Sequence, residues 1–166
     1  MLSLVRNDSA RTRWLALALV VGLLLAWLPV GKPALAAGHD GMAYVPLVPE
    51  RVLDTRDDTG DVAGAVGAGQ TVSQQVAGVG SVPADAGAVA VNVTAADPTA
   101  MSHLRVWPTG EPMPLASTIN FQPGVNIANM VIVEVGTDGR IDLYNHNGEV
   151  DIVLDVVGYF PANGLP

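Results

Sequence analysis

The sequence predicts an all-β domain, an antiparallel two-sheet sandwich of the jelly-roll or immunoglobulin-like kind, and three observations carry that reading. Beyond Ala37 no stretch shows the i, i+3, i+4, i+7 apolar spacing of an amphipathic helix over three turns. Gly and Pro, 18 and 12 of the 166 residues, interrupt nearly every window of ten. Between these breaks, short runs rich in Val, Ile and Thr recur at regular spacing, which fits strands packed in two layers with no helices between them.

Taken in order, the runs predict nine strands: Ala43 to Leu47, Arg51 to Asp54, Thr71 to Ala77, Ala88 to Ala95, His103 to Trp107, Ser117 to Phe121, Ala128 to Val135, Arg140 to Tyr144 and Asp151 to Tyr159. Turn chemistry separates them, with Pro83 to Gly87, Pro108 to Gly110, Pro123-Gly124, Thr137 to Gly139 and Asn145 to Gly148 supplying residues that tolerate positive φ. Asp138-Gly139 and Asn147-Gly148 read as hairpin turns. In the fourth strand Val89, Val91 and Val93 share one side, and Ala88, Ala90, Asn92 and Thr94 the other, so one face is buried. Asn129 to Val135 and Asp151 to Val157 are largely apolar on both faces, which places them centrally or under a cover. Asp57 to Gly69, rich in Asp, Gly and Ala, is the longest loop.

The first residues follow another logic. Arg6, Arg11 and Arg13 precede the 15-residue apolar run Trp14 to Leu28, then Pro29, then Ala34-Leu35-Ala36. A basic flank, a short apolar stretch and a small-x-small site form a secretory signal cleaved after Ala36, and the run is short of the roughly 20 residues that span a bilayer. The expected organisation is a signal peptide at 1–36, a flexible start at 37–43, the sandwich at 44–161 and a tail at 162–166. Processing would leave no membrane span and a secreted or cell-surface chain.

Charge and composition then narrow the chemistry. Of 8 basic and 16 acidic residues, cleavage leaves 4 Arg and 15 acids, a formal charge of −11 over 130 residues. Such a surface repels nucleic acid, because phosphate binding needs cationic side chains that displace counterions. The absence of Cys excludes a disulfide scaffold, a thiol nucleophile and Cys-ligated zinc or iron–sulfur centres.

A series of short motifs in fixed order gives a resemblance: Val45-Pro46-Leu47-Val48-Pro49-Glu50-Arg51-Val52-Leu53-Asp54-Thr55-Arg56, Val66 to Thr71, Val91-Asn92-Val93-Thr94, Val106-Trp107-Pro108, Asn120-Phe121, Asn129, Leu143-Tyr144-Asn145 and Asp155 to Phe160. From Tyr44 to Phe160 the chain resembles a secreted β-rich accessory module of actinobacteria, found alone, in tandem, or appended to peptidoglycan amidases, peptidases and glycosidases. The resemblance implies a non-catalytic domain of the cell envelope and transfers no functional residue by position. One departure is that Asp57, Asp58 and Asp61 intrude where the family is Gly-rich.

Three sets of side chains invite chemistry. Asp54, Asp57, Asp58 and Asp61 place four carboxylates in eight residues, oxygen donors suited to Ca²⁺, although the spacing is not that of an EF-hand loop and Arg56 competes for them. Arg51 and Arg56 near the start and Asp155 in the apolar run near the end are expected to form an ion pair that fixes the register of the first and last strands. Trp107 is the ring that would stack on a sugar if it faces outward, and a lid on the core if it does not. The remaining readings are thinner. Glu134 with Asp155 would need a cleft and about 5 to 10 Å of separation to act as a glycosidase pair. Ser102, His103 and Asp97 lack the elbow and the geometry of a triad, and His39, His103 and His146 have no zinc-ligand spacing. The Gly-rich stretch Gly64 to Gln70 lacks a phosphate-loop pattern.

The function expected from the sequence is therefore an exported, non-catalytic binding or structural module at the cell envelope, with a cell-wall glycan or a surface protein as partner and no cofactor unless the acidic loop takes Ca²⁺. The alternatives are a secreted hydrolase of cell-wall glycan or peptide, and a Ca²⁺-dependent adhesion domain.

Overall fold

The structure is a computed structural model that describes residues 43–162. The expected signal peptide at 1–36, most of the start at 37–43 and most of the tail at 162–166 lie outside the described residues. Among the described residues no helix is long and apolar enough to cross a membrane.

Eight strands form two four-stranded antiparallel sheets. They are β1 (Val45–Asp54), β2 (Thr71–Gln75), β3 (Ala86–Ala96), β4 (Ser102–Pro108), β5 (Ile119–Phe121), β6 (Ile127–Glu134), β7 (Arg140–Asn145) and β8 (Asp151–Pro161). One sheet has the order β1-β8-β3-β6 and the other β2-β7-β4-β5. Each strand thus pairs with its counterpart counted from the opposite end of the domain, β1 with β8, β2 with β7, β3 with β6 and β4 with β5. That is one long hairpin rolled up so that β8 also pairs β3 and β7 also pairs β4. Of the two sandwich types expected, the strand order is that of a jelly roll.

The first two expected strands are one. β1 runs through Pro46 and Pro49 with shifts of register between Pro46 and Glu50 and between Arg51 and Leu53. Proline lacks a donor, and β1 tolerates it because it lies at a sheet edge. Two turns also differ from expectation. Asp138 and Gly139 do adopt positive φ, 57° and 77°, but the chain there passes from β6 in one sheet to β7 in the other. Asn147-Gly148 likewise carries the chain from β7 to β8 across the sandwich. Neither is a hairpin, because rolling the ribbon moves nearly every connection from one layer to the other.

Alternation sorts the core. Val89, Val91, Val93, Ile152 and Leu154 from one sheet meet Leu104, Ile141 and Leu143 from the other, all fully buried. Of the two strands read as apolar on both faces, β8 is central, between β1 and β3, but β6 is an edge whose Met130 and Ile132 are 61% and 60% exposed. The outer face of β8 carries a close backbone approach. A Cβ on Gly158 would fall 2.4 Å from the ring of Tyr44, which lies there with its Oη donating to the Val157 carbonyl at 2.9 Å. Only Gly leaves room for that ring.

Candidate functional site

The β1–β8 ladder ends in a knot of charge. Arg51 is the register partner of Asp155, and its Nε donates to Asp155 Oδ1 at 3.0 Å. Arg51 Nη1 also donates to Asp54 Oδ2 at 2.9 Å. Arg56 grips Asp54 with both arms, Nε to Oδ1 and Nη2 to Oδ2 at 2.8 Å each, and its backbone N–H adds a bond to Oδ1 at 3.2 Å. The Asp54 side chain is 3% exposed, whereas that of Asp155 is 24% exposed. The three residues read as an ion pair are therefore together, but the buried acid that organises them is Asp54, and Arg56 serves Asp54 rather than Asp155. The Arg56 hydrogen bonds, aided by the charge of Arg51, hold the Asp54 carboxyl down at about 2. Beside the knot Thr55 Oγ1 donates to Asp151 Oδ1 at 2.6 Å, tying the end of β1 to the start of β8.

The acidic loop does not converge on an ion. Asp54 is consumed by the two arginines, and Asp57 Oδ1 accepts the N–H of Thr59 in a local turn. Asp58 is exposed at φ 61°, while Asp61 Oδ2 accepts the N–H of Gln75 at 3.0 Å and pairs with Arg140 Nη2 at 2.9 Å. Gly60, at φ 94°, turns the loop so tightly that a Cβ would sit 2.6 Å from the Val52 carbonyl oxygen. The loop thus uses its carboxylates to lock onto β1, β2 and β7. Among the described residues no group of three or more His, Asp or Glu side chains is placed to hold a metal ion.

Of the two placements open to Trp107, the ring takes the covered one. Alternation does put it on the outer face with His103 and Arg105, yet the ring is only 7% exposed. After Pro108 the chain turns back, Glu111 N–H bonding to the Pro108 carbonyl at 3.2 Å, and the indole Nε1 donates to the Glu111 carbonyl at 3.0 Å. A loop covers the ring, so of the two alternatives, platform or lid, the burial is that of a lid, placed on the outer face and not over the core.

The carboxylates weighed as an acid–base pair are also apart. Asp155 pairs across from Asn92 and Glu134 across from Ala88, with β3 between them. Two strand spacings and four residues of rise separate their backbones by roughly 16 Å. Ser102 and His103 point to opposite faces: Ser102 Oγ is buried, donating to Asn145 Oδ1 at 2.8 Å and accepting from the Asn147 N–H at 2.8 Å. Asn145, wholly buried, spends its Nδ2 on the carbonyls of Val66 and Gly148 at 2.9 and 3.0 Å, and so staples the ends of the second sheet.

The side chains that gather around open space are ones the sequence did not single out together. His103 from β4 and His146 after β7 stack with ring centroids 4.7 Å apart and planes 20° apart. Tyr144 Oη lies 3.3 Å from His146 Nδ1, and the guanidinium carbon of Arg105 sits 5.5 Å from the centre of the Tyr144 ring. Beside this stack is a cleft of about 390 Å³ lined by both imidazoles, the amides of Asn120 and Gln122, and the apolar Phe121 and Ile127. Desolvation, with help from the charge of Arg105 and from His146, lowers the His103 pKa, so the ring is neutral at pH 7. Its buried Nε2 has no hydrogen-bond partner among the described residues, and neither does the buried Nε of Arg105. Flat imidazole faces, amides and an apolar wall suit an uncharged polyhydroxylated ligand. The sequence signal was weak because His103, Asn120 and His146 lie on three separate segments; only the outward parity of His103, Arg105 and Tyr144 hints at it.

No protein-family model and no curated protein matches the chain.

Proposed function

We propose that the protein is an exported, non-catalytic binding module that acts at the cell envelope and takes a wall glycan in the cleft beside the His103–His146 stack. The observation that carries this reading is the chemistry of that cleft: stacked imidazoles for a sugar face, Asn120 and Gln122 for hydroxyls, and Phe121 and Ile127 for the apolar edge of the ring. The resemblance to the actinobacterial accessory module and the basic, then apolar, then small-residue pattern of residues 1–36 support export and an envelope setting. Jelly rolls also serve as lectins, an analogy of fold and not of site.

The test is co-sedimentation of the exported protein with purified cell walls, with a parallel assay for released reducing ends and free amines. The reading expects binding that falls at least about ten-fold, or 1.4 kcal/mol, in His103→Ala and Asn120→Ala, with no product released. Steady product release abolished by Glu134→Gln or Asp155→Asn would establish a hydrolase instead, and equal binding by all variants would move the ligand elsewhere.

A further inference from the structure

β6 differs from the other three sheet edges. β1 carries Pro46, Pro49 and two shifts of register, β5 is three residues long, and β2 is five residues long with the ion-paired Asp61 bonded to its end. β6 runs eight residues, Ile127–Glu134, without Pro, Gly or Lys, and its one charge is the terminal Glu134. Such an edge lacks the devices by which monomeric sheets avoid pairing.

The orientation of its backbone follows from the ladder to β3. Val135 N–H bonds to the Gly87 carbonyl at 2.9 Å, and antiparallel partners alternate, so the odd-numbered residues of β6 direct their backbone groups to β3. The N–H and C=O groups of Ala128, Met130, Ile132 and Glu134 therefore point away from the sheet, and among the described residues they meet no partner. Four of the nine large apolar side chains exposed among the described residues, Val125, Ile127, Met130 and Ile132, fall in β6 or the connection that leads to it from β5.

We propose that β6 pairs antiparallel with β6 of a second copy of this chain, joining two β1-β8-β3-β6 sheets into one continuous eight-stranded sheet. A two-fold axis at Val131 satisfies every feature of the strand at once. It sets Met130 against the second Ile132 and Ile132 against the second Met130 as hydrogen-bonded pairs, with Ala128 and Glu134 paired at either end. About eight backbone hydrogen bonds result. Each Glu134 lies opposite an alanine, so no like charges face each other, and the four exposed side chains of Met130 and Ile132 become cross-strand neighbours in one contiguous cluster. The self-complementary register favours a second copy over an unrelated strand. This inference is independent of the glycan reading, since none of the four outward-pointing residues of β6 lines the cleft.

The test is sedimentation equilibrium of the exported protein against Ile132→Pro and Met130→Lys. Proline at 132 removes only an outward-pointing N–H, and the lysine lies on an exposed position, so far-UV circular dichroism is expected to be unchanged. The protein is expected to dimerise and both variants to self-associate at least ten-fold more weakly. Since the chain has no Cys, Val131→Cys adds a check of register that does not rely on those variants: the two copies meet as a non-hydrogen-bonded pair, about 4.5 Å between Cα atoms, within disulfide range. It is expected to cross-link under mild oxidation, while Asn129→Cys, whose copies fall four residues apart, is not. A protein that stays monomeric to about 1 mM, far above any functional affinity, overturns the proposal. So does a dimer indifferent to both variants, or equal cross-linking at 129 and 131.

Discussion

Arg51 stands opposite Asp155 across the β1–β8 ladder, its Nε 3.0 Å from Oδ1, while the same guanidinium reaches back 2.9 Å to Asp54. One arginine thus ties a partly exposed acid on the last strand to a buried acid on the first. The two carboxylates contribute unequally, because an ion pair in water gains little and a buried carboxylate with four donors depends on all of them.

Asp54→Ala is therefore expected to cost about 2 to 3 kcal/mol and Asp155→Ala less than about 1 kcal/mol. Urea unfolding at pH 7 measures both. Equal losses would mean that Asp54 is not the organising acid.

Acid should reveal the same residue. With the Asp54 pKa lowered from 3.8 to about 2, its contribution is complete above the ordinary carboxylate range and is lost as pH falls from about 4 to 2. Once the pairing with the half-exposed Arg51 and Arg56 is discounted for solvent screening, this amounts to about 1 to 2 kcal/mol. Melting temperature followed from pH 5 to pH 2 should fall more steeply in the parent than in Asp54→Asn, and parallel curves would contradict the assignment.

Trp107 is expected to report a buried environment. It is the sole tryptophan beyond residue 36, so in a chain that begins at Ala37 its emission should be blue-shifted and poorly quenched by iodide. Trp107→Ala should destabilise by about 3 kcal/mol, as truncation of a covered aromatic does. Trp107→Phe, which keeps most of the ring, should bind walls as the parent does; a specific loss of binding would restore the platform role.

Calcium is expected to leave stability unchanged. A 0.1 to 1 mM site would add about 1.4 kcal/mol or more at 10 mM Ca²⁺, whereas carboxylates already held by Arg51, Arg56, Arg140 and backbone N–H groups have little to offer. A thermal-shift titration decides this, and a rise of several degrees would place an ion in the loop.

Local features of the sequence foretold local features of the structure. Alternation in Ala88 to Ala95 put Val89, Val91 and Val93 in the core, and Asp155 inside an apolar run pointed to the arginine that meets it. What the sequence left open or placed elsewhere depends on distant segments. Trp107 has outward parity, but the chain after Gly110 folds over it, and no period-two pattern encodes a cover. β6 reads as a central or covered strand because its residues are apolar on both faces, yet topology leaves it at an edge with Met130 and Ile132 exposed. The histidine cleft stayed hidden for the same reason, since β4, β5 and the β7–β8 turn converge only through the jelly roll.

The most direct test of the account is a titration of the ¹⁵N-labelled protein with soluble wall-glycan fragments, followed by amide chemical shifts. Binding in the cleft predicts that the largest changes cluster at His103, Asn120, Gln122 and His146 and disappear in His103→Ala, while Trp107 and the Asp54 to Asp61 loop stay silent. Shifts confined to any other face, or none at saturating glycan, would contradict it.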